Sequence, residues 1–225
     1  MSMTRPHSRT LLLLCLLLGS AAGCSSPPKG PTQILPLKSV GIAVPEGQLM
    51  VFNEPETYFT FLLQGDTIRN TPDGVDPFIL IVDSLPVQMT SLPITDFFAG
   101  DVTEFDDVEL LTMHQSYEVK YLRDRSGADF GIYREHLTTA DGRGFLMWTM
   151  DAKDLPTHII VSTVLRPRIL LLSATLRPGF EGDGKRAMDI LIGAMQTVRR
   201  RTDRIDLKKL RDSVSKAGTM VVPGR

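Results

Sequence analysis

The chain contains 225 residues, of which 42% are hydrophobic, and its 25 Lys and Arg residues nearly balance 26 Asp and Glu residues, for a formal net charge of −1. This length suits one domain with tails and allows a sizeable buried core. The balanced charge gives no global argument for nucleic acid as a partner, and two cysteines are too few for a disulfide-dense scaffold.

The first 23 residues have the organisation of an export signal. Arg5 and Arg9 form a charged start, an apolar run covers residues 11–18, and small residues occupy positions 19–23 before Cys24. This order of charge, short apolar run and small-residue cleavage zone predicts a signal peptide. The apolar run is too short to span a bilayer core, which takes roughly 20 apolar residues as a helix.

Cys24 is the residue whose chemistry the sequence predicts most specifically. The segment Ala21-Ala22-Gly23-Cys24 resembles the bacterial lipobox, whose cysteine receives diacylglycerol, and the resemblance implies lipidation of Cys24. The alternative is an ordinary unpaired cysteine after a standard cleavage site. The other cysteine, Cys15, lies within the signal, so we expect no disulfide, thiolate metal site or cysteine nucleophile in the mature chain.

Residues 24–39 are predicted to form an extended tether, because they contain four prolines and little apolar periodicity. Such a tether holds the domain about 40 Å from the lipid. Ser25 follows the lipidated cysteine, and the resemblance to bacterial lipoproteins therefore implies the outer membrane, with the domain facing the periplasm. The folded domain is predicted over residues 40–201, followed by a basic helical extension and a loose tail over residues 202–225.

The domain contains short segments rich in β-branched and aromatic residues that alternate with turn residues, which predicts a meandering antiparallel sheet. Residues 78–82 form an uninterrupted apolar run, typical of a central strand covered on both faces. Asp141-Gly142 predicts a tight hairpin because both residues tolerate positive φ. The predicted strands cover residues 40–44, 58–63, 78–82, 109–121, 130–138, 144–151, 158–165 and 169–176.

Helices are predicted in three places. Over residues 92–105, apolar residues recur at helical spacing. A second helix begins after Asp183, has an apolar stripe from Met188 to Val198, and ends in the arginines at 199–201, where the helix macrodipole favours cations. Helical spacing of apolar residues resumes over residues 207–217.

An antiparallel β-sheet with amphipathic helices packed on it is an α+β layered domain. Its elements are an opening strand that ends at Pro45-Glu46-Gly47, the helix at 92–105, a run of strands and a closing helix. This order, over residues 40–201, resembles the PsbP-like fold, which includes photosynthetic extrinsic subunits and bacterial periplasmic lipoproteins of the DcrB type. The resemblance implies that fold and carries no catalytic residue over, since the family has no shared catalytic site.

His114, His136 and His158 each lie in a predicted strand, and three convergent imidazoles can bind zinc. They are spaced 22 residues apart with no close pair, so we favour solvated or hydrogen-bonded strand histidines and expect no metal or cofactor. The acidic residues within 104–109 lack the spacing of a calcium loop and are interpreted as a solvated helix-to-strand connection. No nucleophile elbow or phosphate loop is found, so we do not expect an enzyme. Trp148 is interpreted as a core residue.

Charge is distributed unevenly along the chain. Residues 45–110 contain thirteen Asp and Glu and one basic residue, whereas residues 185–225 contain eleven basic and four acidic residues. The basic segment is a candidate contact for anionic lipid head groups or for an acidic partner, and the alternative is a solvated helix end with local ion pairs. The candidate contact residues are Arg199, Arg200, Arg201, Arg204, Lys208, Lys209 and Arg211.

These features favour a non-enzymatic envelope lipoprotein, attached to the membrane through Cys24, whose domain binds another protein or acts as a scaffold in the periplasm. One alternative is an envelope small-ligand binder or enzyme with a pocket on the sheet, and another is an immunity protein for a periplasmic toxin. A deep pocket that gathers histidines with carboxylates favours the ligand binder or enzyme. A filled interface between sheet and helix favours the scaffold.

Overall fold

The computed structural model describes residues 39–54, 56–71, 79–98, 100–176 and 183–219. The predicted signal peptide, Cys24 and the predicted tether as far as residue 38 lie outside the described residues, as does the end of the predicted tail. The described residues form antiparallel sheets with helices packed on them, which confirms the predicted α+β class. None of the described helices has both the length and the apolar character needed to cross a membrane.

The strands of the described residues form two antiparallel sheets. They are β1 (Ser39–Val44), β2 (Gly47–Glu54), β3 (Thr57–Gln64), β4 (Ile68–Asn70), β5 (Ile79–Val82), β6 (Leu85–Pro93), β7 (Gly131–Thr138), β8 (Gly144–Asp151), β9 (Thr157–Leu165), β10 (Arg168–Leu176) and β11 (Arg199–Arg201). The smaller sheet has the order β1-β2-β3-β11, and the larger sheet has the order β4-β5-β6-β10-β9-β8-β7. The smaller sheet therefore contains both the first and the last of these strands.

The described helices pack at three different places. They are α1 (Asp107–Ser126), α2 (Gly184–Gln196) and α3 (Leu207–Thr219). Helix α2 contacts β3 of the smaller sheet and β9 and β10 of the larger sheet. Helix α1 contacts β8 and β9, and α3 contacts β1. The larger sheet is therefore the central layer of the domain.

The main core lies between α2, the smaller sheet and one face of the larger sheet. Alternation of side chains along the strands builds this core, because Met147, Val161 and Leu172 occupy paired positions on neighbouring strands and all join it. The alternate residues of these strands face the other side of the larger sheet. There Trp148 pairs with Ile160, and both are buried. Trp148 is 2% exposed, which confirms its interpretation as a core residue.

Most of the predicted strands are confirmed. The bounds of β1, β3, β5, β7, β8, β9 and β10 agree with the predicted ones within one residue at each end, and α2 and α3 correspond to the second and third predicted helices. The hairpin at Asp141-Gly142 is confirmed, with Gly142 at a φ of 84°. Within residues 78–82, β5 pairs with β4 on one side and β6 on the other, and three of its four residues are buried, which confirms a strand covered on both faces. It lies one strand from the edge of the larger sheet.

Two predictions between β5 and β7 are wrong. Residues 92–105 form the end of β6 and two 3-10 turns, Ile94–Asp96 and Val102–Glu104, and the predicted strand at 109–121 lies within α1. The side chain of Asp106 accepts a hydrogen bond from the N–H of Glu109, whose carboxylate accepts one from the N–H of Asp106, at 2.8 and 2.9 Å. This capping box begins α1. The acidic cluster is therefore a helix start, not a helix-to-strand connection.

The predicted helix end at 199–201 is also wrong, because these arginines form β11 and pair with β3. Helix α2 ends at Gln196, three residues before Arg199, and the Thr197 hydroxyl that follows donates to the carbonyl of Ala194 at 2.7 Å. The same hydroxyl oxygen accepts the N–H of Leu62 on β3 at 2.8 Å. Thr197 therefore ends the helix and directs the chain along the edge of the smaller sheet. The macrodipole of α2 does not account for the arginines.

Candidate functional site

The predicted contact residues all lie on the surface of the domain, in β11, in α3 and in the connection between them. We call this set the basic surface. Every member is exposed. The first three members form β11, and the last three lie in the first turns of α3. The structure therefore brings the predicted residues together in adjoining elements. The set is Arg199, Arg200, Arg201, Arg204, Lys208, Lys209 and Arg211.

Three members of the basic surface have partners. Arg199 lies 3.5 Å from a carboxylate oxygen of Asp141, in the β7–β8 hairpin. Arg200 donates to the carbonyl of Arg166 at 2.9 Å. Lys208 forms an ion pair of 3.3 Å with the carboxylate of Asp212, one turn further along α3. Exposed ion pairs contribute little to stability. Arg199 and Lys208 form such local ion pairs, whereas Arg200 makes a hydrogen bond to a backbone carbonyl.

The other members are Arg201, Arg204, Lys209 and Arg211, and none of their side chains makes an ion pair or hydrogen bond with another described residue. The carboxylate of Asp206 does not neutralise them. It accepts the backbone N–H of Lys209 at 3.1 Å and so caps the start of α3. These four residues are therefore available for contact.

Asn53, which sequence reasoning did not single out, ties the chain before α3 to the smaller sheet. Its side-chain amide donates to the carbonyl of Ile205 at 3.0 Å and accepts the N–H of Ile205 at 2.9 Å. Asn53 follows Phe52, whose partner on β1 is Ser39. The segment that leads into α3 is therefore held at the end of the sheet where β1 begins.

His114 lies in α1 rather than in a strand. Its side chain is fully buried, with Nε2 at 3.6 Å from an oxygen of Glu118 and the ring edge against Phe97 at 4.9 Å between ring centres. Neither ring nitrogen has a hydrogen-bond partner among the described residues. The interpretation as a solvated or hydrogen-bonded strand histidine is therefore wrong for His114.

The other two histidines lie apart from this pair. His158 on β9 has Nδ1 at 3.0 Å from the hydroxyl of Thr175, and burial lowers its pKa to about 4. His136 is exposed on β7. Across the described residues, no group of three or more His, Cys, Asp and Glu side chains is arranged to hold a metal ion. The three histidines do not converge on one site.

The edge strand β7 is an exposed surface that sequence reasoning did not single out. It is the last strand of the larger sheet and pairs only with β8 among the described strands. Ile132 and Tyr133 on this strand are 36% and 56% exposed, and only one other large apolar residue of the described chain, Val108, is as exposed. The available signal was the mixture of apolar and charged residues in the predicted strand at 130–138.

An open groove of about 330 Å³ runs between α1 and β7. Its apolar lining comes from Val119 and Ile132, and its rim is charged. On the rim, Lys120 pairs with Asp124 at 2.6 Å, one turn further along α1. Gln115 reaches the groove from α1. Its side-chain oxygen accepts a hydrogen bond at 3.4 Å from the guanidinium of Arg134 on β7. The groove is thus a partly apolar channel beside an open strand edge.

A second open groove, of about 580 Å³, lies on the other side of the domain and is lined by four carboxylates, including those of Asp83 and Asp189. The N–H of Thr67 and the guanidinium of Arg186, which lies 3.1 Å away, hold the pKa of Asp83 below its usual value. Neither this groove nor the one beside β7 is lined by a histidine.

Similarity to known proteins is found among solved structures. No protein-family model matches the chain, and no curated protein matches it. Among solved structures, the chain is similar to the solution structure of cyanobacterial PsbP (CyanoP) from Synechocystis sp. PCC 6803, with a TM-score of 0.44 and 14% identity, covering 82% of this chain and 99% of that chain.

Proposed function

We propose that the chain is a lipid-anchored envelope protein whose domain binds an extended segment of another protein along β7, and that it does so without catalysing a reaction. The exposed edge of β7 is the observation that supports this proposal most directly. It combines an open row of backbone groups with two exposed apolar side chains and an adjoining groove. A strand added to a sheet edge gains main-chain hydrogen bonds, and neighbouring pockets select its side chains.

The edge of β7 lacks most of the features that keep strand edges from pairing. Edge strands that avoid pairing with other chains are commonly very short, contain proline, or are covered by a loop or helix. The strand has eight residues and no proline, and at roughly 3.3 Å per residue it is long enough to pair with a full segment of a partner. Its first six residues are exposed. The strand therefore presents a template for pairing.

Side chains on the two faces of β7 offer different contacts. Ile132 and Arg134 lie on the side of α1, where Arg134 donates to Gln115. Tyr133 and Glu135 lie on the other side, and the Tyr133 hydroxyl donates to Glu135 at 3.3 Å. A paired segment would place alternate side chains in the groove beside Ile132 and against the ring of Tyr133. We therefore expect a partner segment with apolar residues at alternate positions.

The rival function is a small-ligand binder or enzyme with a pocket on the sheet. The observation in its favour is the buried pair of His114 and Glu118, since unpartnered buried polar groups are uncommon. However, both residues of the pair are buried on α1, which packs against the larger sheet, and neither groove is lined by His114. Burial away from both grooves favours the binding domain over the rival. An immunity protein would be one form of such a domain.

Site-specific photocrosslinking in intact cells tests the proposed interface. A photoreactive amino acid in place of Tyr133 is expected to give a discrete crosslinked product with the full-length protein. Adding Ile132→Lys is expected to reduce that product about tenfold, because a charge would enter the apolar contact. Ile132 is partly exposed, so the substitution is compatible with folding. The yield is measured by immunoblotting of the lipoprotein.

The matched control places the same crosslinker at Arg69, an exposed residue on β4 at the opposite edge of the larger sheet. No product of the same size is expected there. Equal products from both edges, or a product at Tyr133 that is insensitive to Ile132→Lys, would refute the β7 interface. Loss of every product would do the same, provided that the variants accumulate at the wild-type level.

The lipid anchor is tested separately. A Cys24→Ser precursor is expected to lose metabolic labelling with palmitate and to leave the membrane fraction, because the thiol at the lipobox position is absent. A Ser25→Ala precursor keeps Cys24 and is expected to be labelled like the wild type. Palmitate incorporation into the Cys24→Ser chain would show that the anchor lies elsewhere. Separation of the two membranes by density then determines whether the wild type reaches the outer membrane.

A further inference from the structure

The basic surface carries more cations than its own carboxylates neutralise. Residues 199–211 contain seven Arg and Lys residues and two acidic residues, Asp203 and Asp206. Asp206 caps α3, and Asp203 accepts a hydrogen bond from the Thr202 hydroxyl at 3.2 Å. Within the described residues, neither carboxylate forms an ion pair with a cation of the basic surface. The segment therefore keeps a positive charge of its own.

Helix α3 presents its cations to solvent because its apolar side packs inward. Leu207, Leu210 and Val214 recur at helical spacing and are half-buried, and α3 contacts β1. Lys209 and Arg211 lie between these positions and are exposed. The cations of α3 are therefore free to meet a flat surface without unfolding the helix.

Strand β11 adds a cation on the same outer layer. Arg200 pairs with Phe59, a residue of the main core, whereas Arg201 pairs with Tyr58. Because neighbours in a strand face opposite sides, Arg201 lies on the face of the smaller sheet away from that core. Tyr58 in turn pairs with Asn53, the residue that holds the segment before α3. Arg201 and the start of α3 therefore lie at the same end of the sheet.

The chain also enters the domain at this end. Ser39, the first described residue, pairs with Phe52, the neighbour of Asn53. Fourteen residues lie between Cys24 and Ser39, and the chain between them spans roughly 45 Å at about 3 Å per residue in the extended polyproline form. A lipid attached at Cys24 would thus keep the membrane within reach of the end of the sheet that carries the basic surface.

We propose that the basic surface binds anionic phospholipid head groups of the membrane that holds the anchor. The orientation in this proposal rests on the proposed lipidation of Cys24, and the β7 interface is not required for it. Cations near an anionic membrane each strengthen binding by about fivefold. A tether also raises the local concentration of the surface near the membrane to the millimolar range. Several weak contacts then suffice to hold the domain against the bilayer.

The test uses the full-length lipidated protein, reconstituted into vesicles, with a polarity-sensitive fluorophore on α3. Ser213→Cys supplies an exposed attachment point, and the lipidated Cys24 has no free thiol to compete. Vesicles of phosphatidylcholine alone are compared with vesicles that also contain phosphatidylglycerol. A blue shift of the fluorophore emission is expected only with phosphatidylglycerol, and high salt is expected to reverse it because the contact is electrostatic.

Two matched variants assign the response to particular cations. Each loses four exposed positive charges, and the buried Trp148 provides a fluorescence check that both variants are folded. The first variant combines Arg201→Gln, Arg204→Gln, Lys209→Gln and Arg211→Gln of the basic surface. The control variant combines Arg69→Gln, Arg125→Gln, Lys153→Gln and Lys185→Gln. The first variant is expected to lose the blue shift, and the control variant is expected to keep it.

The proposal is overturned by equal emission in both kinds of vesicle, or by a shift that persists in the first variant. A shift with soluble polyglutamate but not with phosphatidylglycerol would also overturn it and would assign the surface to an acidic protein. Absence of lipidation at Cys24 gives a result that differs from the failure of the basic surface to bind lipid. A protein without the lipid would not incorporate into phosphatidylcholine vesicles at all. In that case, salt-sensitive flotation with phosphatidylglycerol vesicles still tests the basic surface.

Discussion

Replacing Arg166 with alanine is expected to lower the free energy of unfolding by about 3 kcal/mol, because one guanidinium holds the whole turn before α1. Its nitrogens donate to the carbonyls of Val102 at 2.7 Å and Phe105 at 2.5 Å. They also contact the carboxylate of Asp107 at 3.0 Å. Loss of the side chain leaves two backbone carbonyls without these donors. Urea denaturation of the full-length protein measures the change.

Two further substitutions show whether the geometry of Arg166 matters rather than its charge. Arg166→Lys is expected to recover little of the loss, since an ammonium group does not reach several acceptors in a fixed fork. Arg125→Ala removes an exposed arginine of α1 whose one side-chain hydrogen bond among the described residues is to the Tyr121 hydroxyl, at 3.1 Å, and is expected to cost less than about 0.5 kcal/mol. A cost below that limit for Arg166→Ala would contradict the assigned role.

His158 is expected to make the domain less stable as the pH falls from about 6.5 to about 4. Burial lowers the pKa of His158 to about 4 in the folded protein, whereas an unfolded histidine titrates near pH 6.5. The unfolded chain therefore binds the proton first. Stability from the neutral imidazole is fully present above about pH 6.5 and is lost as the pH falls toward about 4, with a total of roughly 3 kcal/mol.

The variant His158→Gln removes this titration and keeps a group that can bond with the Thr175 hydroxyl. Its unfolding free energy is expected to change less with pH over that interval than that of the wild type. His136→Gln, a change of the same kind at an exposed residue of the same sheet, is expected to keep the wild-type pH dependence. Parallel pH profiles for the wild type and His158→Gln would show that His158 is not responsible.

The strands that are made mostly of apolar residues were predicted from the sequence. Helix α1, which buries polar side chains, was not. Helix α1 buries His114, Gln115 and Glu118 beside its apolar residues, so its inward face does not appear as a hydrophobic stripe. Its β-branched and aromatic residues then favoured a strand. The signal that identifies the helix is the spacing of Asp106 and Glu109, a capping box that is independent of hydrophobicity.

Strand β6 was missed for a related reason. Leu85, Val87 and Met89 are buried and alternate with more exposed residues, which is a strand pattern. The apolar residues after Pro93 recur at helical spacing and favour a helix over 92–105. In the structure Ile94 is buried next to the sheet and its N–H bonds to the carbonyl of Pro167, so these apolar residues pack without forming a regular helix.

The candidate site was predictable only in part. Clustered charge identified the basic surface, because cations in one segment of chain stay together in any fold. Which of these cations have partners could not be predicted. Arg200 donates to the carbonyl of Arg166 in a distant hairpin, whereas the Arg201 side chain makes no ion pair or hydrogen bond with a described residue. The open edge of β7 also depends on the order of strands in the sheet, and that order is set by packing across the whole domain.

The pairing of β11 with β3 also sets the order in which the domain is completed during synthesis. Thr60 and Arg199 are neighbours in the sheet but lie 139 residues apart in the chain (199 − 60). Contacts between such distant residues form late in folding. Until β11 arrives, β3 is an uncovered edge that contains Phe59 and Phe61, both fully buried in the finished domain. An incomplete chain thus leaves an aromatic strand open to pairing with other copies, and the three arginines of β11 close it.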